Sequence, residues 1–323
     1  MDPRAFPKVD LHCHLELAFR HATLERIAHP TPLTELLVRE PMGTLRDVLG
    51  RFLAVRDLYG SEELLEELAF EAAEDAYTRS NVRILELRYA PSFLLEKHTH
   101  LQADRMHAAI ERGVRRAEAA YPIAVGLICI LQRTRSAAEN ASWTDFALEH
   151  KGSFVGLDLA DDEVAFAPEP FLPHFERARA AGLGVTVHAG EPAVPGIARN
   201  VRYAVEAMGA RRIGHGLQAI ADPAVVELLA STGTVLELCL TRNILTGAAE
   251  DFPSHPLRRL YEAGVRVTLN TDDPGIMDTD MNREYALAAA HHGFRAAEFG
   301  RCAAWAAEVS FVPEERKREV WPA

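Results

Sequence analysis

The sequence predicts an α/β chain folded as a (β/α)8 TIM barrel, with extra helices after the first strand and at the C-terminus. Three observations predict it. Eight short apolar runs recur, at residues 9–14, 83–90, 123–131, 154–160, 184–189, 212–215, 234–240 and 266–271. Most are near-continuous in Val, Ile and Leu, the composition of strands buried on both faces. Stretches with helical apolar spacing lie between them, and polar residues suited to chemistry stand at the strand ends. The same counting admits seven or nine strands.

Taken in order, the first strand ends in His12-Cys-His14, and the 15–60 segment after it is too long for a simple crossover. Within that segment, 44–60 has helical spacing and is placed to cover the barrel mouth. A helix over 61–80 is marked by an N-cap Ser61 and by Glu62 and Glu63 in its first turn. The stretches 101–121, 168–181, 197–209, 223–232 and 255–264 read as helices by the same spacing, several of them stopped by glycine. Beyond Asp280 the chain adds helices, including 294–309. No internal repeat, low-complexity tract or flexible linker interrupts the pattern, so 1–323 is expected to form a single domain.

Bulk properties narrow the function. With 47 acidic against 35 basic residues the net charge is −12, which argues against nucleic acid or an anionic membrane as partner and leaves a small neutral molecule open. Cys13, Cys129, Cys239 and Cys302 are scattered with no Cys-x-x-Cys pair, so a disulfide framework is not expected. The N-terminal residues lack an apolar signal core, and no apolar run approaches the roughly 20 residues of a membrane span. A cytoplasmic chain is expected. Composition does not bear on oligomeric state.

Chemistry concentrates at strand ends. Asp272 and Asp273 close the last apolar run side by side, and adjacent carboxylates are unfavourable unless a positive charge lies near. His12 and His14, two apart on a strand, point to one face, and two imidazoles so placed suit zinc or another borderline divalent ion. Read alone, they are more often an ordinary half-buried pair. His188 and Asp272, each ending another strand, turn the balance towards a metal site. Three histidines and one aspartate leave room for a water, as metal-assisted hydrolysis requires. Glu191, three residues past His188, suits an acid–base group beside the metal, or a carboxylate at a helix start next to Pro192. His215, between Gly214 and Gly216, reads as a group that orients or deprotonates a water, or as a satisfied core histidine. Asp273 diverges from Asp272 and is assigned to hydrogen bonding with substrate. The acidic cluster Asp158, Asp161, Asp162 and Glu163 reads as a solvated loop or a substrate contact, and Arg88 as a bridge between carboxylates. The other histidines, His107 and His255 among them, are assigned to surface or packing.

As an ordered set these residues resemble the adenosine deaminase family of metal-dependent amidohydrolases. The resemblance runs from Pro7-Lys-Val-Asp-Leu-His-Cys-His-Leu15 through Val187-His-Ala-Gly-Glu191, Arg212-Ile-Gly-His-Gly216 and Leu236-Glu-Leu-Cys-Leu-Thr-Arg-Asn243 to Thr271-Asp-Asp-Pro274 and Met281-Asn-Arg-Glu-Tyr285. It implies one Zn2+ per chain, held by His12, His14, His188 and Asp272. It implies attack by water on C6 of a purine, with a protonated Glu191 donating to ring N1, His215 aiding deprotonation of the water, and Asp273 holding a purine nitrogen. Ammonia leaves and a 6-oxopurine remains.

Three positions depart from the family pattern. After His-x-His-Leu the family has Asp or Glu and then Gly; here Glu16 is followed by Leu17, which alters the approach to the sugar. Asp161 stands where a Gly is usual and retains a backbone N–H for purine N3. Arg242 stands in the usual Cys-Pro-x-Ser-Asn, fit to bind a carboxylate or phosphate of substrate or to pair with Asp161 or Asp162; Arg20 in the first loop is fit for the same anion. The resemblance therefore implies zinc-dependent deamination of a 6-aminopurine, adenosine or deoxyadenosine first, with Glu16, Asp161, Asp273 and Arg242 against the substrate. Adenine, N6-methyl-AMP and 6-aminodeoxyfutalosine are the alternatives. Another metal hydrolase on the same barrel is disfavoured, because no lysine stands at a predicted strand's C-terminal end to bridge two metals.

Overall fold

The computed structural model describes residues 3–42 and 45–321. Eight strands form one parallel sheet in chain order: β1 Lys8–His14, β2 Val82–Tyr89, β3 Ala124–Gln132, β4 Phe154–Ala160, β5 Gly184–Ala189, β6 Arg212–His215, β7 Val235–Leu238 and β8 Arg266–Leu269. The sheet closes on itself just past β8. There His14 N–H donates to Asp272 O at 2.7 Å and Asp272 N–H to His12 O at 2.8 Å. The last contact of the barrel is therefore made by metal-ligand candidates.

The strands are buried along nearly their whole length, as their unbroken apolar runs require. The barrel interior is not wholly apolar. Glu86, Arg88, Asp158, Arg212 and Glu237 all point into it at 0% exposure and pair with one another. At the N-terminal end of the barrel the Phe311 ring lies 3.7 Å from the Arg212 guanidinium. A Cβ on Gly184 would fall 2.2 Å from that ring, so only glycine admits it there.

The helices expected from spacing are present, with the first cap as read: Ser61 Oγ accepts from Leu64 N–H ahead of Glu62–Ser80. Several helices escape the apolar spacing, His21–Ala28, Pro91–Lys97 and Ala137–Glu149 among them. Ala137–Glu149 connects β3 to β4, and its buried face includes Asn140 and Thr144, which blunts the period; its capping box, Ser136 with Glu139, is the surviving signal. Two strands end earlier than their apolar runs suggest. After β7 the chain turns at Cys239 into the helix Leu240–Leu245, which carries Arg242 and Asn243 across the mouth. After β8, Asn270 N–H still donates to Leu238 O at 2.9 Å, and Asp272 beyond it takes the left-handed conformation with φ 65°.

The 44–60 expectation resolves into a helix, Leu45–Arg56; Thr44 lies outside the described residues. Phe52 of this helix sits 5.3 Å from the Arg242 guanidinium, which places the helix beside the mouth. Among the described residues no helix is long and apolar enough to cross a membrane.

Candidate active site

β1 brings His12 and His14 to the mouth, and each ring is steered by what its far nitrogen meets. His12 Nδ1 donates to Glu237 Oε2 at 2.8 Å, which leaves Nε2 as a lone pair. His188, near the end of β5, is fixed in the same way by Asp158, 3.0 Å from its Nδ1. Arg88 lies between the two carboxylates, 2.9 Å from Asp158 and 2.8 Å from Glu237. It is the structural bridge expected from the sequence.

The free nitrogens converge. His14 Nε2 stands 3.3 Å from His188 Nε2 and 3.5 Å from Asp272 Oδ1, while His12 Nε2 stands 3.7 Å from Asp272 Oδ2. His12 Nε2 and both Asp272 oxygens are buried with no hydrogen-bond partner. Buried lone pairs that face one another without donors fit a cation and little else. Three imidazoles and a carboxylate are the donor set of zinc or a similar divalent ion. Burial, and then the Asp273 charge, push Asp272 well above the usual carboxylate range, and burial pushes His12 and His14 well below the usual histidine range. A divalent cation among them reverses that balance. Gly214 is the close approach that the glycines around His215 suggest: its hypothetical Cβ would meet His12 Cε1 at 2.9 Å.

His215 and Glu191 flank this group. His215 Nε2 is 3.4 Å from Asp272 Oδ2 and 3.6 Å from Glu191 Oε2. His215 holds φ 61°, the strained region for a residue with a side chain. Glu191 also meets Thr246 Oγ1 at 3.3 Å and Arg242 Nε at 3.4 Å. Burial works to raise the Glu191 carboxyl, but His215, Arg242 and His188 outweigh it and hold it down at about 2. Without substrate Glu191 is thus held as a carboxylate, by His215 first and then by Arg242.

Arg242 departs from the expected pairing with the acidic cluster. It pairs with neither Asp161 nor Asp162. Its Nη1 donates to Asp273 Oδ2 in a short bond and lies 3.8 Å from Asp272. Asp273 is buried, with Oδ1 unpartnered. Glu16 is buried, within electrostatic reach of Asp273. Its Oε1 accepts from Ala90 N–H at 2.8 Å, its Oε2 has no partner, and burial pushes it up to about 8. Asp161 stands apart, exposed at φ 88°, accepting from the Thr134 hydroxyl and from Asp162 N–H. Arg20 is turned away from the site: Glu71, Glu74 and Asp75 occupy its guanidinium, so the expectation that it meets a substrate anion is corrected.

Sequence reasoning missed the role of Glu163. It is buried rather than a solvated-loop residue, and it accepts from Gly190 N–H at 2.9 Å, Glu191 N–H at 2.8 Å and Asn200 Nδ2 at 3.0 Å. It thus sets the backbone that carries Glu191. Glu237 was missed as well. Its signal was present: a lone charge inside the apolar run Val235-Leu-Glu-Leu238. His255, assigned to packing, is buried and hydrogen-bonds Asn243 at 3.1 Å.

The adenosine deaminase family model matches residues 7–322. An adenosine deaminase of Shigella flexneri is 34% identical over 323 residues, covering 97% of this chain and 96% of its own. A Burkholderia amidohydrolase whose crystal structure contains bound zinc superposes with a TM-score of 0.88 at 28% identity, covering 98% of this chain and 88% of the other. The N6-methyl-AMP deaminase of Arabidopsis thaliana superposes with a TM-score of 0.84 at 25% identity, covering 98% and 95%. The chain belongs to the adenosine deaminase family, hydrolytic deaminases of the metal-dependent amidohydrolase barrel that act on C–N bonds.

Proposed function

We propose that the chain deaminates adenosine or deoxyadenosine to inosine or deoxyinosine and ammonia, on a single domain, with one zinc ion held by His12, His14, His188 and Asp272. The observation that carries the reading is the convergence of unpartnered His12 and Asp272 atoms beside His215 and Glu191. When bound, zinc supplies positive charge that brings a water's pKa towards neutrality. His215 and Asp272 flank the attacking oxygen. Glu191, a carboxylate at rest, takes the proton of that water and returns it to purine N1 as C6 becomes tetrahedral. Asp273 and Glu16 hold the purine and the group attached to it, and Asp161 offers backbone at the rim. The zinc-containing structure of a relative supports the metal, and the 34% identical adenosine deaminase supports the nucleoside.

A neutral nucleoside suits the charges at the mouth better than a nucleotide. Arg242 is balanced by Asp273, and Arg135 and Arg56 by Glu96. The second reading, a 6-aminopurine bearing an anion such as N6-methyl-AMP, rests on Arg242 breaking its pair with Asp273. The four cysteines are unpaired and buried, which suits a reducing cytoplasm.

A deamination screen on zinc-loaded protein, followed by ultraviolet absorbance, tests the reading. Its panel is adenosine, deoxyadenosine, adenine, AMP, N6-methyl-AMP and aminodeoxyfutalosine. Fast turnover of adenosine is expected. Turnover restricted to the anionic substrates would replace the first reading with the second. Glu191→Gln should keep its metal and lose most turnover; retained activity would remove Glu191 from the reaction.

A further inference from the structure

A chain of hydrogen bonds runs from the barrel exterior to His215 and fixes which nitrogen carries its proton. It begins at Leu257, whose backbone N–H, necessarily a donor, meets His255 Nδ1 at 3.2 Å. His255 Nδ1 is therefore an acceptor, so the ring is neutral with its proton on Nε2. That Nε2–H donates to Asn243 Oδ1 at 3.1 Å. With its oxygen so committed, Asn243 turns its amide nitrogen to His215 Nδ1, 3.3 Å away. His215 Nδ1 is then an acceptor too, and its proton resides on Nε2. Asn243 is 0% and His255 2% exposed, so water does not compete for these bonds.

The other end of His215 is compatible with the same assignment. Its Nε2 faces two carboxylates, Asp272 Oδ2 at 3.4 Å and Glu191 Oε2 at 3.6 Å. Glu191, held as a carboxylate, is an acceptor, and an N–H facing it is favoured over a lone pair.

We propose that Asn243 and His255 are positioning residues that lock His215 in the tautomer protonated at Nε2, so that His215 presents a donor, not a base, to the attacking oxygen. This rests on the deaminase reading above for its catalytic consequence, though not for the tautomer itself. It reassigns the sequence expectation that His215 deprotonates the water: the proton passes from the water oxygen to Glu191, and His215 keeps its own while donating a hydrogen bond to the negative charge that grows on that oxygen.

Two measurements test it. In protein labelled with nitrogen-15 histidine, the His215 ring, assigned by loss of its signals in His215→Gln, should show a protonated-type Nε2 and an unprotonated-type Nδ1. This holds whatever the substrate, so failure of the nucleoside reading leaves it standing. The reverse pattern in the unsubstituted protein would overturn the proposal. Asn243→Asp puts an acceptor opposite Nδ1 and should move the proton there, with kcat falling roughly 10²- to 10³-fold, the usual loss for one donor to developing charge, and KM little changed. His255→Ala should lower kcat in the same direction, and His255→Gln, whose amide can still donate to Asn243, should recover part of it. An unshifted tautomer in Asn243→Asp, or equal kcat in the two His255 variants, would also overturn it.

Discussion

Glu237→Gln is the sharpest test of how the barrel interior holds the proposed metal ligands. Glu237 Oε2 faces two donors, His12 Nδ1 at 2.8 Å and Arg88 Nη2 at 2.8 Å, and Oε1 faces Arg212 Nε at 2.7 Å and Thr186 Oγ1 at 3.2 Å. A glutamine amide must turn its NH2 towards one side. On the Oε2 side it opposes two donors; on the Oε1 side it opposes only Arg212, because the threonine hydroxyl can rotate and accept. The second orientation therefore wins. It forfeits one charge-assisted bond, about 1.5–3 kcal/mol of stability, and leaves His12 with a neutral acceptor in place of a carboxylate. Loss of such an outer partner weakens metal binding by roughly 10- to 100-fold, and the retained carbonyl places this variant near 10-fold, about 1.4 kcal/mol. The assay is competition for zinc against a chromophoric chelator, paired with thermal unfolding of the metal-free protein. Thr186→Val is the control, since Thr186 touches Glu237 but not His12; it should leave metal affinity unchanged. Wild-type affinity in Glu237→Gln, or an equal loss in Thr186→Val, would refute the reasoning.

Three further perturbations follow from the same contacts. Glu163→Gln sets an NH2 against Gly190 or Glu191 N–H in either orientation, since both oxygens already accept; kcat/KM should drop roughly 10-fold with metal content unchanged, read by steady-state kinetics and metal analysis. His107 is pushed down from 6.5 to about 3, by burial first and then by His150. The unfolded chain thus binds a proton that the folded chain refuses between these values, and stability falls as pH drops from 6.5 towards 3, by up to about 1.4 kcal/mol per unit. His107→Gln should flatten that slope in urea midpoints measured against pH; an unchanged slope would remove His107 as its source. Gly184→Ala drives a Cβ to 2.2 Å from Phe311, a ring held by Arg212, and should destabilise by about 1–3 kcal/mol or more. A Phe311→Leu background should return part of that loss, and strict additivity of the two changes would count against the clash.

The fold was legible because its strands are nearly uniform. β4, β5 and β6 begin and end where their apolar runs do. The misreadings occur where another force competes with hydrophobic period. At the end of β7, Leu240 continues the apolar run, yet the chain turns into a helix at Cys239, and apolar content alone does not distinguish the two. The helix Ala137–Glu149 was hidden for a related reason: its buried face spends two positions on Asn140 and Thr144, which satisfy local backbone groups rather than fill volume.

The site was legible in its outer residues and opaque in the ones behind them. His12, His14, His188 and Asp272 announce themselves because polar groups at the ends of apolar strands must converge when a barrel closes. Glu86, Arg88, Asp158, Arg212 and Glu237 follow the same geometry one layer deeper, but each looks like an isolated liability in its own strand. Their sense is pairwise, and the partners lie as far apart in sequence as Arg212 and Glu86. Arg242 shows the limit from the other side. Its departure from the family pattern was visible, and an acidic partner was a reasonable expectation, but the sequence offered Asp161 and Asp162 first because they form the denser cluster. Asp161 instead takes φ 88° and binds its own loop, while Asp273, buried beside Asp272 with no neighbouring cation of its own strand, has the greater need of charge. Burial, not the density of acidic residues in the sequence, decides which carboxylate an arginine answers.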